Sequence, residues 1–85
     1  MTKRGGQKDY LMLNRIKELR KAKKMSQEVL ANKCDVSRQT INAIENNKYD
    51  PSLVLAFKIA TVLGITVDEL FQFQLKEIKS EEENE

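Results

Sequence analysis

The feature that most restricts what this chain can fold into is a pair of helix starts set close together. Ser26 and Ser37 each stand just before a stretch of helical apolar spacing, and serine there accepts a hydrogen bond from an otherwise unpaired first-turn amide. The first stretch, Gln27 to about Lys33, puts Leu30, Ala31 and Cys34 on a narrow apolar face. It breaks at Cys34-Asp35-Val36, where Asp35 tolerates the left-handed geometry of a tight turn better than most non-glycine residues. The second stretch runs from Arg38 to about Asn46, with Asn46-Asn47 as its exit. Two short helices joined by a three-residue turn leave the second one able to protrude from the domain.

Other punctuation fills in the rest. Residues 1–9 are polar and basic, with a Gly5-Gly6 pair and nothing to bury, and are expected to form a flexible basic arm. Asn14 to about Lys24 places Ile16, Leu19 and Lys23 at helical spacing behind an Asn14 cap, with Arg15, Lys17, Lys21 and Lys24 outside. Asp50-Pro51-Ser52 interrupts the chain before Leu53–Leu63, since proline disfavours helix at the residue before it. That segment is apolar nearly all round, which predicts a central, most buried helix stopped by Gly64. Thr66-Val67-Asp68-Glu69 fits a capping box for a short fifth helix ending near Leu70.

The period then changes. Phe71, Phe73 and Leu75 alternate with Gln72, Gln74 and Lys76, which is strand spacing. One short strand is not stable alone, and Tyr10-Leu11-Met12-Leu13 is the candidate partner. The two ends are therefore expected to pair as a small antiparallel ribbon with an apolar face left over. The fold class is mainly all-α: a five-helix domain with a small two-stranded ribbon from the termini, spanning 10–78, and a disordered acidic tail over 79–85.

Totals bound the function. A chain of 85 residues has room for one domain with a modest core, which dimerisation would help stabilise. No stretch approaches a membrane span, the N-terminus has no apolar run behind its charges, and the single Cys34 permits no internal disulfide. A cytoplasmic protein is expected. Residues 1–58 hold 13 Lys/Arg against 6 Asp/Glu, and residues 59–85 hold 2 against 7. Such asymmetry fits one surface made for a polyanion, although a solvated surface with an acidic tail gives the same count. With no histidine, no nucleophile and base pair, no phosphate-binding glycine loop and no metal cluster, neither an enzyme nor a cofactor or metal site is expected.

The third helix is two-faced. At 100° per residue Ile41 and Ile44 fall on one side, and Gln39, Asn42, Ala43 and Asn46 on the other, with Arg38 at the first turn. Gln and Asn can pair bidentately with adenine, Arg with guanine, and a methyl group can meet that of thymine. Recognition helices contact bases mainly through their N-terminal residues. Arg38 and Gln39 are thus the leading base readers of double-stranded DNA in its major groove, with Asn42 and Ala43 beside them. Gln27, Ser37, Asn46, Lys48 and Tyr49 are the candidate phosphate contacts, with the N-terminal amides of the second helix. A polar helical face of Gln and Asn is also common as ordinary surface.

Met25 to Ser52, with Ser-Gln, Val-Ser-Arg-Gln-Thr-Ile, Ile-Glu-Asn and Asp-Pro-Ser, and Ala60 to Phe71 after it, resemble the Cro/lambda-repressor (XRE) type of helix-turn-helix protein. The likeness covers roughly Asn14 to Phe71. It implies a five-helix DNA-binding domain in which Gln27, Arg38, Gln39 and Asn46 match DNA-contacting positions, and in which Arg20 and Glu45 match an internal salt bridge. The family usually has Gly where this chain has Asp35, and a larger aliphatic residue where it has Cys34, so the turn is expected to be strained or differently held. Phe71-Gln-Phe-Gln-Leu75 is further similar to short dimeric members such as the cytolysin repressor, whose terminal strands form a small sheet. Leu11, Leu13, Phe71, Phe73 and Leu75 are accordingly the expected dimer interface.

The function implied is a sequence-specific transcriptional repressor that binds a palindromic operator as a homodimer, its recognition helices about one DNA turn (~34 Å) apart. An antitoxin-type DNA-binding protein that neutralises a protein partner through its acidic end is the alternative. Cys34 reads as a buried inert thiol, with a redox sensor as the sharper alternative. Lys3, Arg4 and Lys8 could follow DNA or merely solubilise the end.

Overall fold

A computed structural model describes residues 9–76; the expectations placed on 1–8 and on 77–85 lie outside the described residues. The elements run β1 (Tyr10–Asn14), α1 (Ile16–Ala22), α2 (Gln27–Lys33), α3 (Arg38–Glu45), α4 (Leu53–Leu63), α5 (Val67–Leu70) and β2 (Phe71–Leu75). Five helices and a two-stranded antiparallel sheet agree with the architecture expected from the sequence.

Four helices begin as their cap residues require. Ser26, Ser37, Ser52 and Thr66 accept from the amides of Val29, Thr40, Leu55 and Glu69, and Glu69 completes a capping box with Thr66. The first helix starts differently. Its N-cap is Arg15, which makes no side-chain cap. Asn14 instead belongs to β1, where its Oδ1 accepts from the Ile16 amide at 3.0 Å and its Nδ2 donates to the Ile44 carbonyl at 2.9 Å. A residue held extended by strand pairing cannot also be the helix boundary, so its carboxamide ties the start of α1 to the end of α3.

The same helix also stops earlier than its spacing predicts, because Lys24 adopts a left-handed conformation at φ 55°. Lys23 is exposed, and α1 contributes Ile16 and Arg20 to the buried set. The ending recurs. Amides of Met25, Val36, Lys48 and Ile65 donate to the carbonyls of Arg20, Ala31, Ala43 and Ala60, while the residues just before them, Lys24, Asp35, Asn47 and Gly64, donate to Lys21, Asn32, Ile44 and Thr61. This is the Schellman arrangement. It closes α1 to α4 through four left-handed residues, of which only Gly64 is a glycine.

The core gathers Ile16, Leu30, Ile41, Ile44, Ile59 and Leu70, all at most 1% exposed. α4 corrects the sequence reading. It buries Leu55, Ala56, Ile59, Ala60 and Leu63, yet Leu53, Val54 and Phe57 remain 70%, 65% and 54% exposed. α1, α2 and α5 pack on its inner side, and elements this short enclose one face of an eleven-residue helix and leave the other in water.

The ribbon also departs from a single apolar face. Register pairs Tyr10 with Leu75, Met12 with Phe73 and Asn14 with Phe71, so these six share one face, while Leu11 and Leu13 share the opposite face with Gln74 and Gln72. The Tyr10 and Phe73 rings stack with centroids 5.5 Å apart, and the Tyr10 hydroxyl donates to the Asp50 carboxylate. That hydrogen bond and some desolvation raise the phenol's pKa above its ordinary value. The ribbon is anchored by Lys76 donating to the Asp9 carbonyl (2.9 Å) and Arg15 to that of Leu70 (3.0 Å).

Candidate nucleic-acid interface

α3 is held by its apolar side. Ile41 and Ile44 are buried, while Arg38, Gln39, Asn42 and Asn46 are exposed and Ala43 is half-buried. Its first turn carries no acid. Ser37 caps it and lies 3.0 Å from the Thr40 hydroxyl, so this cap is occupied on its inward side. Among the described residues neither Arg38 nor Gln39 forms a side-chain hydrogen bond, which leaves both donor groups available to solvent or a ligand. Asn42, Ala43, Asn46 and Lys48 line one shallow depression along the helix. Lys48 and Tyr49 are exposed in the loop that follows.

α2 packs against α3, and behind the exposed face the two are linked by a polar network. Arg20 reaches from α1 and grips Glu45 with Nε at 2.7 Å from Oε2 and Nη2 at 3.2 Å from Oε1, while its Nη1 donates to the Met25 carbonyl at 2.9 Å. Gln27 Nε2 donates to Glu45 Oε1 at 3.0 Å and to Asn42 Oδ1 at 3.1 Å. Asn46 turns back on the same helix, its Nδ2 donating to the Asn42 carbonyl at 2.9 Å and to Asn42 Oδ1 at 3.3 Å.

The network bears on two residues expected at phosphates. Both side-chain N–H groups of Gln27 are engaged inside the protein, so the side-chain atom left to face outward is its carbonyl oxygen, an acceptor like a phosphate oxygen. The Asn46 amide is likewise directed at Asn42. Lys48 and Tyr49 keep donors on the surface, and Ser37, also exposed, shares its hydroxyl with that of Thr40. The coupling of Gln27 to Asn42 is not apparent from sequence spacing. The one signal available was Gln27 beside the Ser26 cap, where the first turn of α2 can face the side of α3.

Cys34 is buried under α2; desolvation raises its thiol pKa, nearby Lys58 opposes the shift and Asp35 adds to it. Among the described residues no cluster of His, Cys, Asp or Glu could hold a metal ion, and no helix is long and apolar enough to cross a membrane.

Comparison with known proteins follows the same boundaries. The helix-turn-helix (HTH_3) family model matches residues 16–70, from the start of α1 to the end of α5. An uncharacterized HTH-type transcriptional regulator of Methanocaldococcus jannaschii is 51% identical over 63 residues, covering 74% of this chain and 96% of its own length. The control protein C.MunI of a Mycoplasma species is 48% identical over 59 residues, 68% of this chain and 80% of that protein. Among solved structures, the restriction-modification controller protein C.AhdI from Aeromonas hydrophila matches with a TM-score of 0.61 at 40% identity, over 65% of this chain and 83% of that one. A putative DNA-binding protein from Bacteroides fragilis matches with a TM-score of 0.66 at 34% identity, over 73% of this chain and all of that one.

Proposed function

Since the chain belongs to the HTH_3 helix-turn-helix family of DNA-binding transcription regulators, and not to an enzyme family, we propose that it is a cytoplasmic repressor that binds a palindromic operator as a homodimer. The observation that carries this reading is the two-faced α3: Ile41 and Ile44 fix it to the core while Arg38, Gln39 and Asn42 stand in solvent on its outer side. Arg38 and Gln39 are the proposed principal base readers, Asn42 reads beside them, and Ala43 offers a methyl to thymine. Ser37, Lys48 and Tyr49 contact phosphates and set the register. Gln27 and Asn46 serve instead to orient the reading face.

Dimerisation is supported by apolar side chains that one copy leaves in water: Leu53, Val54 and Phe57 on α4, and Leu11, Leu13, Phe73 and Leu75 on the ribbon. Monomeric soluble domains seldom expose such strips without a partner. Of the two surfaces α4 is the better interface, because its three residues share one helical face whereas the ribbon residues divide between two. A symmetric dimer would place two copies of α3 about one DNA turn (~34 Å) apart, and occupancy of a promoter by such a dimer blocks polymerase without a further domain.

The test is binding of the full chain to genomic fragments, its own upstream region included, at graded salt. Arg38→Ala/Gln39→Ala is expected to lose selective binding by about 1–3 kcal/mol per bidentate contact, while weak, salt-sensitive binding persists. If the unmodified protein selects no fragment at moderate salt, the operator reading fails.

A further inference from the structure

The network behind α3 has a direction, and the direction reaches the surface. A carboxylate gripped bidentately by an arginine offers only acceptor atoms. Glu45, held by Arg20, therefore requires the amide group facing it to be a donor, so the Gln27 side chain can point only its Nε2 inward. The second hydrogen on that nitrogen then lies against Asn42, which must answer with its oxygen, and does so at 3.1 Å. Asn46 Nδ2, fixed by its 2.9 Å bond to the Asn42 carbonyl, meets the same oxygen at 3.3 Å. With both lone pairs of Oδ1 engaged, the exposed Asn42 turns Nδ2 outward, and that nitrogen has no partner among the described residues. Reversing the amide would set N–H groups against N–H groups at Gln27 and Asn46.

We propose that Gln27 is a specificity-determining residue, which fixes Asn42 as a donor toward the major groove and withholds the acceptor that an unrestrained asparagine would use to single out adenine. The inference rests on the reading of α3 as the base-reading helix. Bidentate pairing with adenine needs donation to N7 and acceptance from the N6 amino group together. A donor-only Asn42 satisfies purine N7, guanine O6 or thymine O4, and gives adenine no advantage over guanine. A charge pair that touches no DNA would thus set the alphabet read at one position of each half-site.

The experiment is selection from a randomised operator library by the full chain, comparing the unmodified protein with Gln27→Met, Asn42→Ala and the double variant. Asn42→Ala identifies the position at which selection depends on Asn42. There the unmodified protein is expected to show no preference for adenine over guanine. Gln27→Met, which keeps length and removes both donors, is expected to raise adenine over guanine about tenfold, and the double variant to show no such rise. A second measurement avoids mutation: with adenine placed at that position, replacing it by purine, which lacks the N6 amino group, leaves affinity unchanged for a donor-only reader and lowers it about tenfold for a bidentate one. An intrinsic adenine preference, a loss on purine substitution, an unchanged ratio in a folded Gln27→Met, or no position sensitive to Asn42→Ala would each overturn the assignment and leave the operator reading standing. If the unmodified protein enriches no sequence, both fall together.

Discussion

Arg20 and Glu45 meet in a two-pronged pair whose shorter arm measures 2.7 Å, with only 9% and 3% of their side chains exposed. The pair joins α1 to the last turn of α3, and its surplus donor also ties down the Met25 carbonyl. Removing one partner strands a charge in a dry site. Arg20→Ala is therefore expected to lower unfolding free energy by about 3–5 kcal/mol in urea titration. Arg20→Met/Glu45→Leu should recover most of that loss, because no charge is left behind. If the double variant were as unstable as the single, the pair's own attraction, not the stranded charge, would be the controlling quantity.

Lys24 holds φ 55° at the end of α1, where a glycine would meet no steric penalty from Cβ. Lys24→Gly is expected to stabilise the domain by up to about 1 kcal/mol, read as a rise in the urea midpoint at unchanged slope. Gly64→Ala should act in the opposite sense by a similar amount. A Cβ there would find only Lys23 Nζ, at 4.0 Å, so the loss comes from backbone conformation at φ 78° and not from a clash.

Burial pushes the Cys34 thiol up, Lys58 opposes that shift and Asp35 reinforces it. A group whose folded pKa exceeds its unfolded one contributes stability that is complete below the unfolded value and fades as pH rises toward the folded one. Unfolding free energy should thus begin to fall above about pH 8.5, the ordinary thiol value. Tyr10, shifted in the same direction, adds a further decline at higher pH. Cys34→Ala should lack the lower limb of that decline whatever its cavity costs. Labelling of the native thiol with an aromatic disulfide at pH 8 should be slow and become fast in denaturant.

Sedimentation separates the two exposed apolar surfaces. Val54→Glu/Phe57→Glu is expected to reduce a dimer to monomer and to weaken operator binding, since each half-site then has to be held alone. Phe73→Lys/Leu75→Lys should leave the mass unchanged. The reverse pattern would move the interface to the ribbon.

Much of this fold is legible in the sequence because its signals are local. Ser26, Ser37, Ser52 and Thr66 announce helix starts through one hydrogen bond each, and strand alternation over 71–75 survives as β2. The misreadings arise where a distant contact decides. Asn14 has the composition of a cap, yet pairing with Phe71 draws it into a strand. Leu53, Val54 and Phe57 have the composition of a core, yet among the described residues no element covers them. At the interface, periodicity alone separates the outward side of α3 from its buried side. Which way an amide points could not be read, because it depends on Glu45, a residue three and eighteen positions from the two it orients.

The pairing of Tyr10 with Leu75, extended by the Lys76 to Asp9 hydrogen bond, brings the first and last described residues side by side. The domain is therefore nearly a closed loop of chain. A linker of a few residues across that gap would permit circular permutation, with new ends opened in the exposed 47–49 turn or beside Lys24. Anything fused before residue 9 or after residue 76 would emerge from a common point, so the domain can be carried as a side branch of a longer chain as readily as at its tip.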